Sequence, residues 1–394
     1  MSRGIVIYLC FLCVISSVSA KQSLTVRGSD LQLPLKLKVK IKDYDPTQQL
    51  VVSGLTGKGK NPELVCRFYD KFMKAFVGIR DLIVPEGWVC EDKLSGNFYP
   101  INQNLTLAAV DGKANVNSHA YRGQIQLVRN GRKLMLINQV DIEDYLVGLV
   151  NKEINSKFPE EAIKAQAIAA RSYAMATVAD RRKKTRIYDL LGTEEDQVYQ
   201  GASYEDKKAR RLVELTRGEV LYSKDDILKA YYHAASGGHS EEPQNVWLDR
   251  ANPVESAAYI AMPSPFDEKY APTRWSITLS ASIGDKWSDV GRLKEMRILE
   301  RSRGLRVKKL LLVGDRGRKV IGGAEFRRMI GNRWLKSTLF YLKRNENSWT
   351  LEGKGFGHGV GMSQLGAKFM AKNGRSAEEI LTFYYPKAKL QKVY

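Results

Sequence analysis

The carboxylate best placed to do chemistry in this sequence is Glu153. Apolar residues recur at Ile142, Leu146, Leu149 and Val150, the spacing of one helix face, and the next step along that stripe lands on Glu153. A carboxylate on the apolar side of a helix loses hydration, its pKa rises, and it stays protonated near neutral pH. That is the property of a general acid acting on a glycosidic oxygen. The alternative for the same residue is a frayed helix end paired with Lys152 or Lys157. Arg171, set in the alanine run "AIAARSYAMA", has three readings: partner of a buried carboxylate, contact to an anionic substrate, or an ordinary exposed helix arginine. Glycosidase-like pairing lacks an evident second carboxylate near any of these segments.

His233 and His239 flank "AASGG". Two histidines at that spacing resemble half of a zinc site, but no third ligand is fixed nearby, and Ser236 stands where a cysteine would strengthen the case. No metal and no cofactor are expected, and His233, Ser236 and His239 are read as polar groups lining a cleft. The stretch "GKGFGHGVGMSQLGA" (353–367) poses a different question, because glycine-rich loops also cradle phosphates. Here glycines alternate every second residue, which fails the G-x-G-x-x-G spacing, and the run ends in "GMSQ" where a Walker A loop needs Gly-Lys-Ser/Thr. What remains is a loop whose backbone approaches a bulky ligand closely, with His358, Ser363 and Gln364 offering polar contacts.

The elements that must hold these residues are legible in part. "YRGQIQLVRNGRKLMLINQV" (121–140) is a hairpin with Asn130-Gly131 at its turn. Asp141 then reads as the N-cap of a helix "IEDYLVGLVNKEI", followed by a short turn and a second helix with Pro159 in its first turn and basic residues from Arg181 to Lys184 at its end. Residues 185–350 are mixed, with a strongly basic hairpin around "RSRGLRVKK" and a short amphipathic helix in "GAEFRRMIGNRWLKS"; "RSAEEILTFYY" is another. Residues 21–118 carry short alternating runs such as "LKLKVKI" and read as a small β-rich appendage ahead of a domain at 119–394. The fold class expected is α+β.

The first 20 residues have an early cation, an apolar run and a small-x-small end at Val18-Ser19-Ala20, the pattern of a secretory signal, with an uncleaved anchor as the alternative. No later stretch is apolar enough for a spanning helix. The expected mature protein is soluble and exported, to a periplasm or cell wall, and keeps only Cys66 and Cys90, an even pair that reads as one disulfide. The net charge of +20 favours polyanionic partners. Export argues against nucleic acid and for an anionic envelope polymer, with Arg301, Arg303, Arg306, Lys308 and Lys309 as candidates for the basic surface.

The segments "VDIEDYLVGLVNKEINSKFPEEAIKAQAIAARSYA", "YDLLGTEEDQVYQG", "TRGEVL", "YYHAASGGHSEEPQNVW" and "GKGFGHGVGMSQLGAKFMAKNGRSAEEILTFYYP" resemble, in content and order, the stage II sporulation protein D (SpoIID/LytB) family over about residues 120–394. The resemblance implies a SpoIID-type catalytic domain that acts on peptidoglycan glycan strands as a lytic transglycosylase, preferring strands poor in stem peptides and leaving 1,6-anhydro ends. It implies that the catalytic acid is Glu153 and that the family's helix arginine is Arg171. A transglycosylase uses the muramic acid 6-hydroxyl as nucleophile, so one carboxylate suffices. Some relatives are instead enhancers of a cell-wall N-acetylmuramoyl-L-alanine amidase, which gives a non-catalytic alternative; an adhesin for anionic polymers is a third. Some members also bind zinc near the segment matching "HAASGGHS", but Ala235 and Ser236 replace any cysteine here.

Overall fold

The computed structural model describes residues 35–53, 63–70, 73–77, 80–84, 86–224, 226–247, 258–268 and 270–394. The expected secretory segment at 1–20 lies outside them. The fold is α+β, with a β-rich N-terminal region. Among the described residues no helix is long and apolar enough to cross a membrane.

A nine-stranded sheet forms the base. Its spatial order is Leu190–Leu191, Lys36–Tyr44, Lys133–Asp141, His119–Asn130, Asn104–Val116, Leu50–Ser53, Leu64–Tyr69, Gly87–Asp92 and Phe98–Pro100. The expected hairpin turns at Gly131, whose φ of 60° suits a tight primed turn. Cys66 and Cys90 are directly opposite on neighbouring strands and are joined as a disulfide.

The structure differs from the expected division at residues 118/119. Strand Lys36–Tyr44 pairs with Lys133–Asp141, and Asn104–Val116 pairs with His119–Asn130, so the sheet runs unbroken across that position. One core contains Leu37, Val39, Leu50 and Trp88 from the N-terminal part together with Leu136, Tyr145, Leu149 and Ala167. Alternating strands without a second buried face of their own are completed by the helices that follow.

Helix α1 (Ile142–Ile154) starts where Asp141 accepts the Glu143 N–H, and helix α2 (Glu160–Arg182) starts after Pro159. α2 is buried on nearly every side. One face joins the sheet core through Ile163, Ala167 and Ala170; the other, through Ala165, Ile168 and Ala169, meets a second core with Val360, Met362, Ile380 and Tyr384. The alanines let two cores close on one helix. Helix α3 (Lys207–Leu215) packs on both α1 and α2.

The chain then builds a third core. Strands Arg274–Ser280, Ser348–Lys354 and Phe340–Arg344 form one sheet, and Leu293–Arg301, Val307–Gly314 and Arg318–Gly322 another. With helix α4 (Gly323–Ile330) they enclose Trp287, Leu310, Leu312, Phe326, Phe340 and Trp349. The glycine run leads back from this inserted unit to the second core, ending at helices α5 (Gln364–Lys372) and α6 (Ala377–Tyr384), the latter opened by a Ser376/Glu379 capping box.

Candidate active site

Glu153 occupies the last turn of α1, half-buried. Three donors converge on its carboxylate. The Val198 N–H donates to Oε1 at 3.2 Å, Gln364 Nε2 approaches Oε2 at 3.4 Å, and the Tyr232 hydroxyl bonds to the side chain. The direction of the last bond follows from its neighbours. Gln197 Nε2 donates to Tyr232 Oη at 3.0 Å, while Gln197 Oε1 accepts from the Tyr145 hydroxyl at 3.0 Å. The Tyr232 proton is therefore the one pointed at Glu153. Loss of hydration pushes the Glu153 pKa up, and Glu194 adds to this, while the three donors pull the other way.

Gln364 arrives from the far end of the chain because strand Tyr232–His233 pairs in parallel with Met362–Ser363, which sets the first residue of α5 beside the end of α1. Glu153 and Gln364 both line a cleft of about 1450 Å³. Its near wall includes Tyr173, Tyr231, His233, Trp247 and His358, with Tyr231 and Trp247 stacked at 4.5 Å. Its far wall belongs to the inserted unit, through Arg306, Lys308, Arg327, Arg328 and Arg333. An aromatic wall with a few convergent polar groups suits a ligand with apolar ring faces and hydroxyl edges, and the far wall suits negative charge.

Both cleft histidines are neutral. His233 is buried and its Nδ1 meets the Val360 carbonyl at 3.1 Å, so Nδ1 holds the proton and Nε2 is a bare acceptor. Nε2 has no partner among the described residues. His358 Nδ1 accepts the Val360 N–H at 3.0 Å, which leaves the proton on Nε2. Burial and the nearby Arg327 and Arg306 push the His358 pKa down to about 3, and burial with His358 and Arg306 pushes that of His233 well below its usual value.

Comparison with known proteins gives the chain a family. Residues 130–222, which span Glu153 and Val198, match the family model described as stage II sporulation protein (SpoIID). The stage II sporulation protein D of Bacillus subtilis is 30% identical over 269 residues, covering 63% of this chain and 74% of that protein. The chain belongs to the stage II sporulation protein D family. An uncharacterised protein of Brachyspira hyodysenteriae is 30% identical over 275 residues, 68% of this chain and 72% of that protein. The amidase enhancer of Bacillus subtilis is 29% identical over 294 residues, 61% of this chain and 39% of its own length. Residues 270–361, the inserted unit and the start of the glycine run, match a domain of unknown function (DUF8618).

Of the residues singled out in this family member's sequence, Glu153, His233, His358 and Gln364 share the cleft. Arg171 does not line it. Its guanidinium is fully buried and grips Glu143 with two bonds, Nε to Oε1 at 2.9 Å and Nη2 to Oε2 at 2.7 Å, while Nη1 donates to the Glu219 carbonyl at 3.0 Å. The Tyr394 hydroxyl also bonds Glu143. Ser236 and Ser363 are buried behind the wall, both donating to Asp267, Ser363 at 2.6 Å; Ser363 also caps α5 through the Gly366 N–H. His239 sits outside the cleft wall, its carbonyl facing Arg306 Nη2 at 3.5 Å. Among the described residues no three His, Cys, Asp or Glu side chains are grouped to hold a metal ion.

Of the residues expected on a basic surface, Arg303 and Lys309 are exposed, Arg301 and Lys308 are half-buried, and only Arg306 is buried. Lys308 and Lys309 flank Glu300, and Arg301 is tied to the Leu305 and Phe340 carbonyls. The sequence reading missed Tyr232, Gln197, Asp267 and Arg327. Tyr232 and Gln197 lie inside the quoted segments "YYHAASGG" and "EEDQVYQG", but nothing local tells which polar residue of a motif faces the acid.

Proposed function

We propose that this protein cleaves peptidoglycan glycan strands between N-acetylmuramic acid and N-acetylglucosamine as an exported lytic transglycosylase. Protonated Glu153 gives its proton to the bridging oxygen as the C1–O bond breaks. The resulting carboxylate then removes the proton from the muramic acid 6-hydroxyl as that oxygen bonds to C1, closing the 1,6-anhydro ring. The proton on Glu153 is restored and no water is consumed. Val198 N–H, Gln364 and Tyr232 hold the carboxylate in position and stabilise its charged form between the two steps. Arg171 acts at a distance, as a positioning residue that locks α1 to α2 through Glu143.

The observation that carries this reading is a carboxylate, Glu153, whose pKa is raised by burial and which is held by three donors in an aromatic-lined cleft, in a chain of this family. The test is incubation with purified glycan strands and detection of anhydromuramic ends by mass spectrometry. Glu153→Gln should reduce their formation by roughly 10²-fold or more, the usual worth of a positioned acid. Unchanged product from a folded Glu153→Gln protein overturns the mechanism.

A second reading, an enhancer of a cell-wall amidase, is favoured by the likeness to the amidase enhancer. In that case Glu153→Gln leaves stimulation of the amidase intact and anhydro ends are absent with the unmutated protein too. Under either reading the positive charge of the chain, +20, concentrates it on an anionic wall.

A further inference from the structure

We propose that Arg306 and Arg327 of the inserted unit form a subsite for a carboxylate carried by the substrate strand. The proposal rests on the glycan-strand reading above and adds to it the group that the far wall of the cleft recognises.

Arg306 is 1% exposed yet belongs to the cleft wall. Its Nη2 donates to the Ser236 carbonyl at 2.8 Å, but Nε and Nη1 have no partner among the described residues. A buried cation with two unmet donors is costly, and the fold does not relieve it. The acidic groups within electrostatic reach are Glu241 and Asp267, and both carboxylates are bonded elsewhere: Glu241 to Ser302, Asn245 and the Glu242 N–H, Asp267 to Ser236 and Ser363. The backbone makes room for the guanidinium specifically. A Cβ on Gly359 would lie 2.3 Å from Arg306 Nε.

Arg327 converges on the same region from α4. Its Nε donates to the Leu335 carbonyl at 2.8 Å, and it has no ion-pair partner among the described residues. Arg306 and Arg327 repel each other, and both are felt by His358, which is neutral and adds no charge of its own. Desolvation pushes both guanidinium pKa values down to about 10. Two like charges on one cleft wall, neither bonded to a carboxylate among the described residues, match a bound carboxylate. The near side is opposite in sign: Glu194 acts on both Glu153 and Arg327, so the cleft carries negative charge by the acid and positive charge across from it. A strand bearing carboxylates is thereby set in one register.

Two sources could supply the group: the lactyl carboxylate on muramic acid, free only on peptide-stripped strands, or a carboxylate of the stem peptide. Binding is measured with the full chain carrying Glu153→Gln, so that strands are held without being cut. The ligands are peptide-stripped strands, the same strands with their carboxylates amidated, and peptide-bearing strands before and after amidation. Amidation is expected to weaken binding at least tenfold. Adding Arg327→Gln, a half-buried position chosen so that folding survives, should erase the difference, whereas Arg318→Gln, at an exposed position of the same unit outside the cleft, should keep it. If the loss on amidation occurs only with stripped strands, the lactyl group is the ligand; if only with peptide-bearing strands, the peptide is. Equal binding before and after amidation, or a difference that Arg327→Gln leaves in place or Arg318→Gln erases equally, overturns the subsite while leaving the glycan reading intact. Failure to bind any strand overturns both.

Discussion

Gln364 Nε2 lies 3.4 Å from Glu153 Oε2, a contact between residues 211 apart in sequence. It exists because a two-residue parallel pairing, Tyr232 with Met362 and His233 with Ser363, holds the start of α5 against the end of α1. The same pairing brings Tyr232 to the acid. Donors to the carboxylate lower its pKa, and burial raises it, so the acid is set by two opposed effects of one packing arrangement.

The first prediction concerns Tyr232→Phe. Removing the hydroxyl takes away a donor that favours the carboxylate, so the Glu153 pKa rises further. The cleavage rate should fall on the order of tenfold, because the charged form between the two steps loses a hydrogen bond. The descending alkaline limb of the pH–rate profile should move to higher pH. A limb that stays in place or moves to lower pH shows that Tyr232 does not act on the acid.

Glu153→Gln carries a stability signature. A carboxyl whose pKa is raised in the folded state binds its proton more tightly than in the unfolded chain, so its contribution is present at acid pH and is lost as pH rises through the folded pKa. At pH 7 to 8 the substitution should raise Tm by a few degrees, about 1 kcal/mol, by removing a partly desolvated charge. At pH 4 the gain should vanish. Calorimetry across this range checks the sign.

Arg171→Met leaves Glu143 charged, buried and without its bidentate partner. A loss of about 3–5 kcal/mol is expected, enough to unfold many domains. The double variant Glu143→Met/Arg171→Met should recover most of that stability. If Arg171 only positions α1 and α2, the double variant should also regain glycan cleavage; persistent inactivity in a folded double variant would show a direct role in the reaction.

Gly359→Ala and Gly374→Ala separate close approach from backbone strain. Both glycines have positive φ, 87° and 80°, so both substitutions cost about 1–2 kcal/mol of left-handed strain. Only at Gly359 would the new Cβ strike Arg306, at 2.3 Å, whereas nothing lies within 4 Å at Gly374. Gly359→Ala should therefore be the more destabilising by denaturant unfolding, and the only one of the two to weaken substrate binding.

What the sequence determined by itself was local. The Asp141 cap, the Asn130-Gly131 turn, the helix stripe ending at Glu153 and the paired helices are all set by residues within a few positions of one another, so their signals survive without the rest of the chain. The motif order likewise pointed to the family, and with it to the acid. Tertiary structure decided everything that depends on which distant surfaces meet. Residues 36–44 read as part of an appendage, yet they pair with 133–141, because a strand's backbone N–H and C=O groups can be met by any open sheet edge, however distant in sequence. Arg171 and Arg306 are both arginines in basic or helical runs, and neither run reveals that one is sealed against Glu143 while the other stands in the cleft wall with two unmet donors. The glycine run shows why. Its alternation is plain in the sequence, but its purpose, a backbone threaded between the His233 strand and the Arg306 guanidinium, is fixed only by what packs on either side.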